Sequence, residues 1–147
     1  MKALVQRVSK ASVNINNKCV SNIQEGVCVF LGIREDDSSE DVMYLVNKIT
    51  KLRIFNDDRG KMNLSLNDIN GSAIIISQFT LYGNCKKGNR PSFSKTASQL
   101  IARPLYELFI NLLKEKNINV KTGKFGKNMD VNIVNQGPVT FMLESTL

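Results

Sequence analysis

The chain has no histidine and no tryptophan, and only three prolines and three cysteines among its 147 residues. The missing imidazole is the most restrictive of these absences. It excludes Ser-His-Asp and Cys-His activation of a nucleophile, a histidine proton relay and the usual histidine-rich zinc site. Cys19, Cys28 and Cys85 lie far apart without C-x-x-C spacing, and an odd count with no secretory signal points to reduced thiols. Cys19 and Cys28 fall in strand-like surroundings as packing residues, whereas Cys85 sits in a basic loop with no visible base to activate it. No apolar run approaches the ~20 residues that span a bilayer. The opening Met1-Lys2-Ala3-Leu4-Val5-Gln6-Arg7-Val8 meets charge too early for a signal peptide, so a cytoplasmic protein is expected. There is also no G-x-G-x-x-G after a strand and no Walker-type loop, which leaves glycine-rich phosphate cradling without support.

What remains is a folded composition, 42% hydrophobic and 22% charged, of a length that suits one domain over residues 1–147. Twenty Lys and Arg against thirteen Asp and Glu give a net charge of +7, which favours a polyanionic partner. The charge is concentrated. Residues 82–96 hold Lys86, Lys87, Arg90 and Lys95 and no acidic side chain, making this loop the expected anion-binding element.

Alternation and apolar runs predict strands over Ala3–Val8, Ala11–Asn16, Gly26–Ile33 and Ser72–Leu81. Ser38 and Asp41 stand at capping-box spacing before a helix with Val42, Leu45, Val46, Ile49 and Leu52 on one face. A turn over 56–60 and a short extended piece over 61–66 follow. A second helix is predicted over Ser98–Lys116, with Leu105, Leu108, Phe109, Leu112 and Leu113 as its apolar stripe and Pro104 starting or kinking its regular part. Strands return over Asn119–Thr122, Met129–Val134 and Val139–Glu144, the last two joined by a tight Asn135–Pro138 connection. Without regular βαβ alternation, this order predicts an α+β fold: a largely antiparallel, barrel-like sheet with two packed helices.

Two segments carry candidate chemistry. Ser77-Gln78-Phe79-Thr80 closes a buried apolar run, placing hydroxyl and amide groups where a strand meets a loop; such groups serve either a site or the strand end's own backbone. Gly137-Pro138-Val139-Thr140 reads by itself as a plain turn. Within the longer stretches Ser77–Leu81 and Asn135–Thr140, and together with Ala3–Val8, Gly60-Lys61-Met62-Asn63, Arg90-Pro91-Ser92-Phe93-Ser94-Lys95 and Thr122-Gly123-Lys124-Phe125-Gly126, these segments resemble the D-aminoacyl-tRNA deacylases of the D-tyrosyl-tRNA deacylase type, in the right order over essentially the whole chain.

The resemblance implies a cytoplasmic homodimer that hydrolyses the ester between a D-amino acid, or glycine, and the 3′-terminal adenosine of a tRNA, with no metal or cofactor. It implies that Ser77, Gln78, Phe79 and Thr80 form the catalytic wall, and that Gly137, Pro138 and Thr140 reach in from the partner subunit with the Gly-Pro bond cis. Arg7 braces that motif across the dimer, and Phe125 and Met129 enclose the adenosine end. One departure is visible: the family often has Asp before Gly-Pro, where this chain has Gln136. Without histidine, Thr80 has no evident base to make it a nucleophile. The substrate's own 2′-OH can instead assist attack by water while the N–H groups of Phe79 and Thr80 hold the oxyanion. The competing expectations are a non-catalytic RNA-binding module, in which the basic loop holds phosphates and Ser77 and Thr80 are structural, and an interaction dimer that is basic by composition alone.

Overall fold

The computed structural model describes residues 1–145. Its first strand, β1, runs unbroken over Lys2–Ile15 and organises the sheet. The first half of β1 pairs antiparallel with β3 (Gly26–Gly32) and the second half with β2 (Lys18–Ile23). Its other edge pairs along its length with the last strand, β8 (Asp130–Glu144). On sequence grounds β1 divides in two, because alternation breaks at Ser9 and Lys10. That break is real, but it marks an exposed change of face within one strand: Ala3 and Val5 belong to one core, Val8, Ala11 and Val13 to another.

The strand β2 is an addition to the expected elements. Asn16 and Asn17 both take positive φ (49° and 61°), the backbone of a tight primed hairpin turn that asparagine tolerates, and this pair is the available signal for it.

Beyond β3 the sheet continues through β6 (Ser72–Ser77) to β7 (Asn119–Thr122), and both of these pairings are parallel. The sheet is therefore mixed. Helix α1 (Ser39–Lys51) lies between β3 and β6 in the chain and α2 (Gln99–Glu115) between β6 and β7, so each parallel neighbour is reached by a helical crossover. Two helices on an α+β sheet stand as expected; the irregular segments between them mask the β-helix-β connections in the sequence. A small hairpin, β4 (Phe55–Asn56) with β5 (Met62–Leu64), fills the first of these. The Ser21 hydroxyl donates to the Thr122 carbonyl at 2.8 Å, drawing β2 to β7 and nearly closing the sheet into a barrel.

Two apolar cores result. The larger lies between the sheet and the helices and takes in Val42, Leu45, Val46 and Ile49 of α1 and Tyr106, Phe109, Ile110 and Leu113 of α2. The stripe predicted for α2 is rotated: Leu105, Leu108 and Leu112 are only partly buried, and the Tyr106 hydroxyl instead enters the core to donate to the Ile75 carbonyl at 2.8 Å. Pro104 lies inside α2, which begins before it at Gln99. The smaller core fills the barrel with Val8, Ala11, Val13, Ile23, Cys28, Ile74 and Ile76, against which Met129 and Phe30 pack.

Candidate active site

At the C-terminal end of β6 the predicted strand stops short. It ends at Ser77; Gln78 still donates its N–H to the Leu31 carbonyl at 2.8 Å, and residues Phe79–Tyr82 then form one 3-10 turn. β-propensity over 78–81 gives no warning of it, because the turn is set by tertiary packing. It rests on the end of β3, where a Cβ on Gly32 would come within 3.0 Å of Leu81 Cβ and 3.1 Å of the Gln78 carbonyl oxygen. Opening this turn, the N–H groups of Phe79 and Thr80 have no backbone acceptor among the described residues. The Gln78 carboxamide donates to Thr80 Oγ1.

This turn borders a cavity of about 620 Å³. Of the expected residues it brings together Ser77, Gln78, Phe79, Phe125 and Met129, with Thr80 held beside them through Gln78. Phe125 is fixed by its contact with Tyr106, ring centroids 5.4 Å apart. Met129 is fixed by the Lys124 N–H, which lies 3.1 Å from its Sδ. The opposite wall is the segment Thr96–Gln99 entering α2, together with Lys127 and Asn128. Sequence inspection misses this wall. The Thr96 hydroxyl is buried without a hydrogen-bond partner, as expected of a group reserved for a ligand. Lys127 is the only ionisable side chain among the described lining residues, so apart from that one amine the cavity offers amides, hydroxyls and main chain, with no carboxylate and no imidazole.

Gly137, Pro138, Thr140 and Arg7 lie elsewhere, outside the cavity lining. The expected tight connection between two strands is instead a bulge in the continuous β8. Val8 faces Asn135 and Gln6 faces Thr140, so residues 136–139 of β8 lie opposite Arg7 alone. The Gly137–Pro138 bond is cis, and Gly137 has φ +119°, which L side chains rarely adopt. Arg7, 7% exposed, braces this bulge within its own chain: Nε donates to the Gln136 carbonyl at 3.2 Å, and Nη1 to the Ile54 carbonyl at 2.7 Å and Asn56 Oδ1 at 3.2 Å. Because the brace uses the carbonyl of residue 136, Gln in place of Asp leaves it intact. Asn135 closes the bulge, its Nδ2 donating to the carbonyls of Arg7 and Val139, both at 3.0 Å, while Thr140 Oγ1 donates to Asn135 Oδ1 at 3.2 Å. Asn135 falls in a segment that the sequence marks, but its closing role is not legible there, since its partners are set by strand register.

Lys86, Lys87, Arg90 and Lys95 sit on an exposed loop between the 3-10 turn and α2. None of them lines the cavity. Among the described residues no cluster of three His, Cys, Asp or Glu side chains is placed to hold a metal ion.

With this geometry in view, comparison with known proteins is decisive. The family model described as D-Tyr-tRNA(Tyr) deacylase matches residues 4–144. The chain belongs to this deacylase family. Relatives named D-aminoacyl-tRNA deacylase include one from Thermosipho africanus, 54% identical over 145 residues that cover 99% of this chain and 97% of that one. Another, from Clostridium novyi, is 50% identical with the same coverage. Among solved structures, a c-Myc DNA unwinding element binding protein superposes with a TM-score of 0.94 at 40% identity, covering 100% of both chains. A probable eukaryotic D-amino acid tRNA deacylase shares the fold at a TM-score of 0.82 and 19% identity, covering 98% of each chain. The deacylase fold thus extends over the whole described chain, with the cavity at the end of β6 and the bulge of β8 as its two distinctive features.

Proposed function

We infer that residues 1–147 act as one domain that hydrolyses the ester of D-aminoacyl-tRNA, and of glycyl-tRNA, releasing the amino acid and free tRNA in the cytoplasm. The observation that carries this reading is a cavity bordered by the Ser77–Thr80 turn, with free N–H groups and no carboxylate or imidazole in its lining to activate a side chain. Such a site suits a substrate that brings its own hydroxyl. The terminal adenosine lies against Phe125 and Met129, the N–H groups of Phe79 and Thr80 face the ester carbonyl, and the 2′-OH assists attack by water. Thr80 accepts a hydrogen bond from Gln78, which lowers rather than raises the nucleophilicity of its oxygen.

The active form is a homodimer in which Gly137, Pro138 and Thr140 complete the partner's site. Supporting this, the bulge is exposed and lies on a strand whose other edge has no neighbour among the described residues, flanked by the exposed Val134, Phe141 and Met142. A main-chain wall cannot move aside as a side chain can. With the Gly137 carbonyl accepting from the substrate's α-amino group, a D side chain points to open space, an L side chain meets the wall, and glycine passes. Lys86, Lys87, Arg90 and Lys95 hold phosphates of the tRNA.

The deciding experiment is incubation of the purified protein with matched D- and L-tyrosyl-tRNA. Release of D-tyrosine with L-tyrosyl-tRNA spared is the expected result. Equal rates on both isomers would overturn the wall, and tight tRNA binding without turnover of either would leave only an RNA-binding module.

A further inference from the structure

The cavity and the basic loop are joined by an aromatic pair that hydrolysis leaves unused. Phe79 and Phe93 meet with ring centroids 5.0 Å apart and planes at 63°, yet both remain in water, 54% and 39% exposed. Rings that serve only to pin a loop gain by being buried; these two meet edge to face and still leave ring surface exposed. Phe79 lines the cavity, and Phe93 belongs to the basic run. The backbone fixes Phe93 in place. Asn84 and Ser92 exchange both main-chain hydrogen bonds at 2.8 and 3.0 Å, the Gly83 N–H donates to the Thr80 carbonyl at 2.9 Å, and the Thr96 N–H donates to the Phe93 carbonyl at 3.0 Å. The ring lies so close over Gly83 that a Cβ there would come within 3.1 Å of it. Lys86, Lys87, Arg90 and Lys95 share the loop, and none enters an ion pair among the described residues.

We propose that Phe79 and Phe93 form a stacking platform for the base of the nucleotide that precedes the terminal adenosine, at the single-stranded 3′ end of the tRNA. Open aromatic faces among unpaired cations are the chemistry of single-stranded nucleic-acid sites: a base stacks on a ring whatever its identity, and the cations neutralise its phosphates. The proposal rests on the deacylase reading, which puts the terminal adenosine in the cavity that Phe79 lines. The strand leaving that cavity then crosses the two rings before its phosphates reach the loop. Such a platform reads no sequence, and it requires an unpaired base, since a base within a duplex has no free face.

The test uses a short RNA, carrying no amino acid, that has 2-aminopurine immediately before its terminal adenosine. Binding to the wild-type protein should quench the 2-aminopurine fluorescence. Phe93→Ala should abolish the quenching and weaken affinity about 5- to 100-fold, while Phe93→Trp should restore both. Quenching that survives Phe93→Ala, or a loss that Phe93→Trp fails to restore although both variants melt as the wild type does, overturns the platform. A second readout compares esters with and without the preceding nucleotide. Phe93→Ala should raise KM for D-tyrosyl-tRNA relative to D-tyrosyl-adenosine at an unchanged ratio of kcat; equal damage to both esters overturns the proposal. Should the wild type hydrolyse neither ester, the deacylase reading falls, and the quenching result stands or falls on its own.

Discussion

Thr80 and Gln78 carry the sharpest test of mechanism. Since the threonine hydroxyl accepts from an amide and faces no base, Thr80→Ala should keep D-tyrosyl-tRNA hydrolysis within about tenfold of wild type, a loss of about 1.4 kcal/mol in transition-state binding. A 2′-deoxy substrate esterified at the 3′ position should be nearly inert. Loss of all turnover in Thr80→Ala at unchanged substrate binding would restore a covalent route. Arg7 is different in kind, because its contacts are internal. Arg7→Ala strands the carbonyls of Ile54 and Gln136 and should cost about 2–4 kcal/mol in denaturant unfolding, with D-specific turnover falling as the bulge loosens. Burial pushes the Cys28 thiol up to about 12; it should resist thiol reagents in the native state while the exposed Cys19 and Cys85 react. At this scale the sequence shows the Ser77–Thr80 and Gly137–Thr140 segments through resemblance. It does not show Thr96 or Lys127, nor the bonding role of Asn135, because these depend on what the fold sets opposite them.

Helix α1 starts as its sequence says. Ser38 Oγ accepts from the Glu40 N–H at 3.2 Å, and Asp41 Oδ2 accepts from the Ser38 N–H at 2.8 Å. Ser38→Ala or Asp41→Asn should each cost about 1 kcal/mol. Burial works to raise the Asp41 carboxyl, but hydrogen bonds from Ser145 and Ser38 outweigh it, and the group lies below its ordinary value. Asp57 is lowered chiefly by the Lys61 N–H and Asp68 chiefly by the Ser65 N–H. Carboxylates depressed in the folded state stabilise it above their unfolded value, and that contribution is lost as pH falls through the folded one. Melting temperature should accordingly fall on acidification below about pH 4, and Asp41→Asn should flatten that fall. Helix faces and strand alternation are legible because each is a local period. The C-terminal end of β6 and the continuity of β1 and β8 are not: a 3-10 turn held against Gly32 and a bulge held by Arg7 are decided by distant residues, so a change of face looks like a gap.

For the whole molecule, the residues that line the cavity and the bulge proposed to complete it are separate features of one chain, and the proposed dimerisation is the step that would unite them. Sedimentation should show a dimer, and an active monomer would sink that assembly. Lys86 and Lys87 should act through charge alone, so replacing both with alanine should lower the log–log salt slope of tRNA binding by up to about 0.7–0.9 for each phosphate no longer neutralised. Topology is the least legible property, because the parallel neighbours of β6 are chosen by crossovers that local periodicity does not record. One further consequence follows from the pairing of β1 with β8. The first and the last strands of the described chain are partners along nearly their whole length, and the arginine that braces the bulge sits on the first while the bulge sits on the second. A nascent chain halted before Asp130 therefore holds β1 with a bare edge and no Gly137–Pro138 bulge, and such a truncated chain should be inactive in the D-tyrosyl-tRNA assay. Pairing at that edge should wait until β8 is made, and the bare edge of β1 is meanwhile where chaperone binding or aggregation of unfinished chains should concentrate.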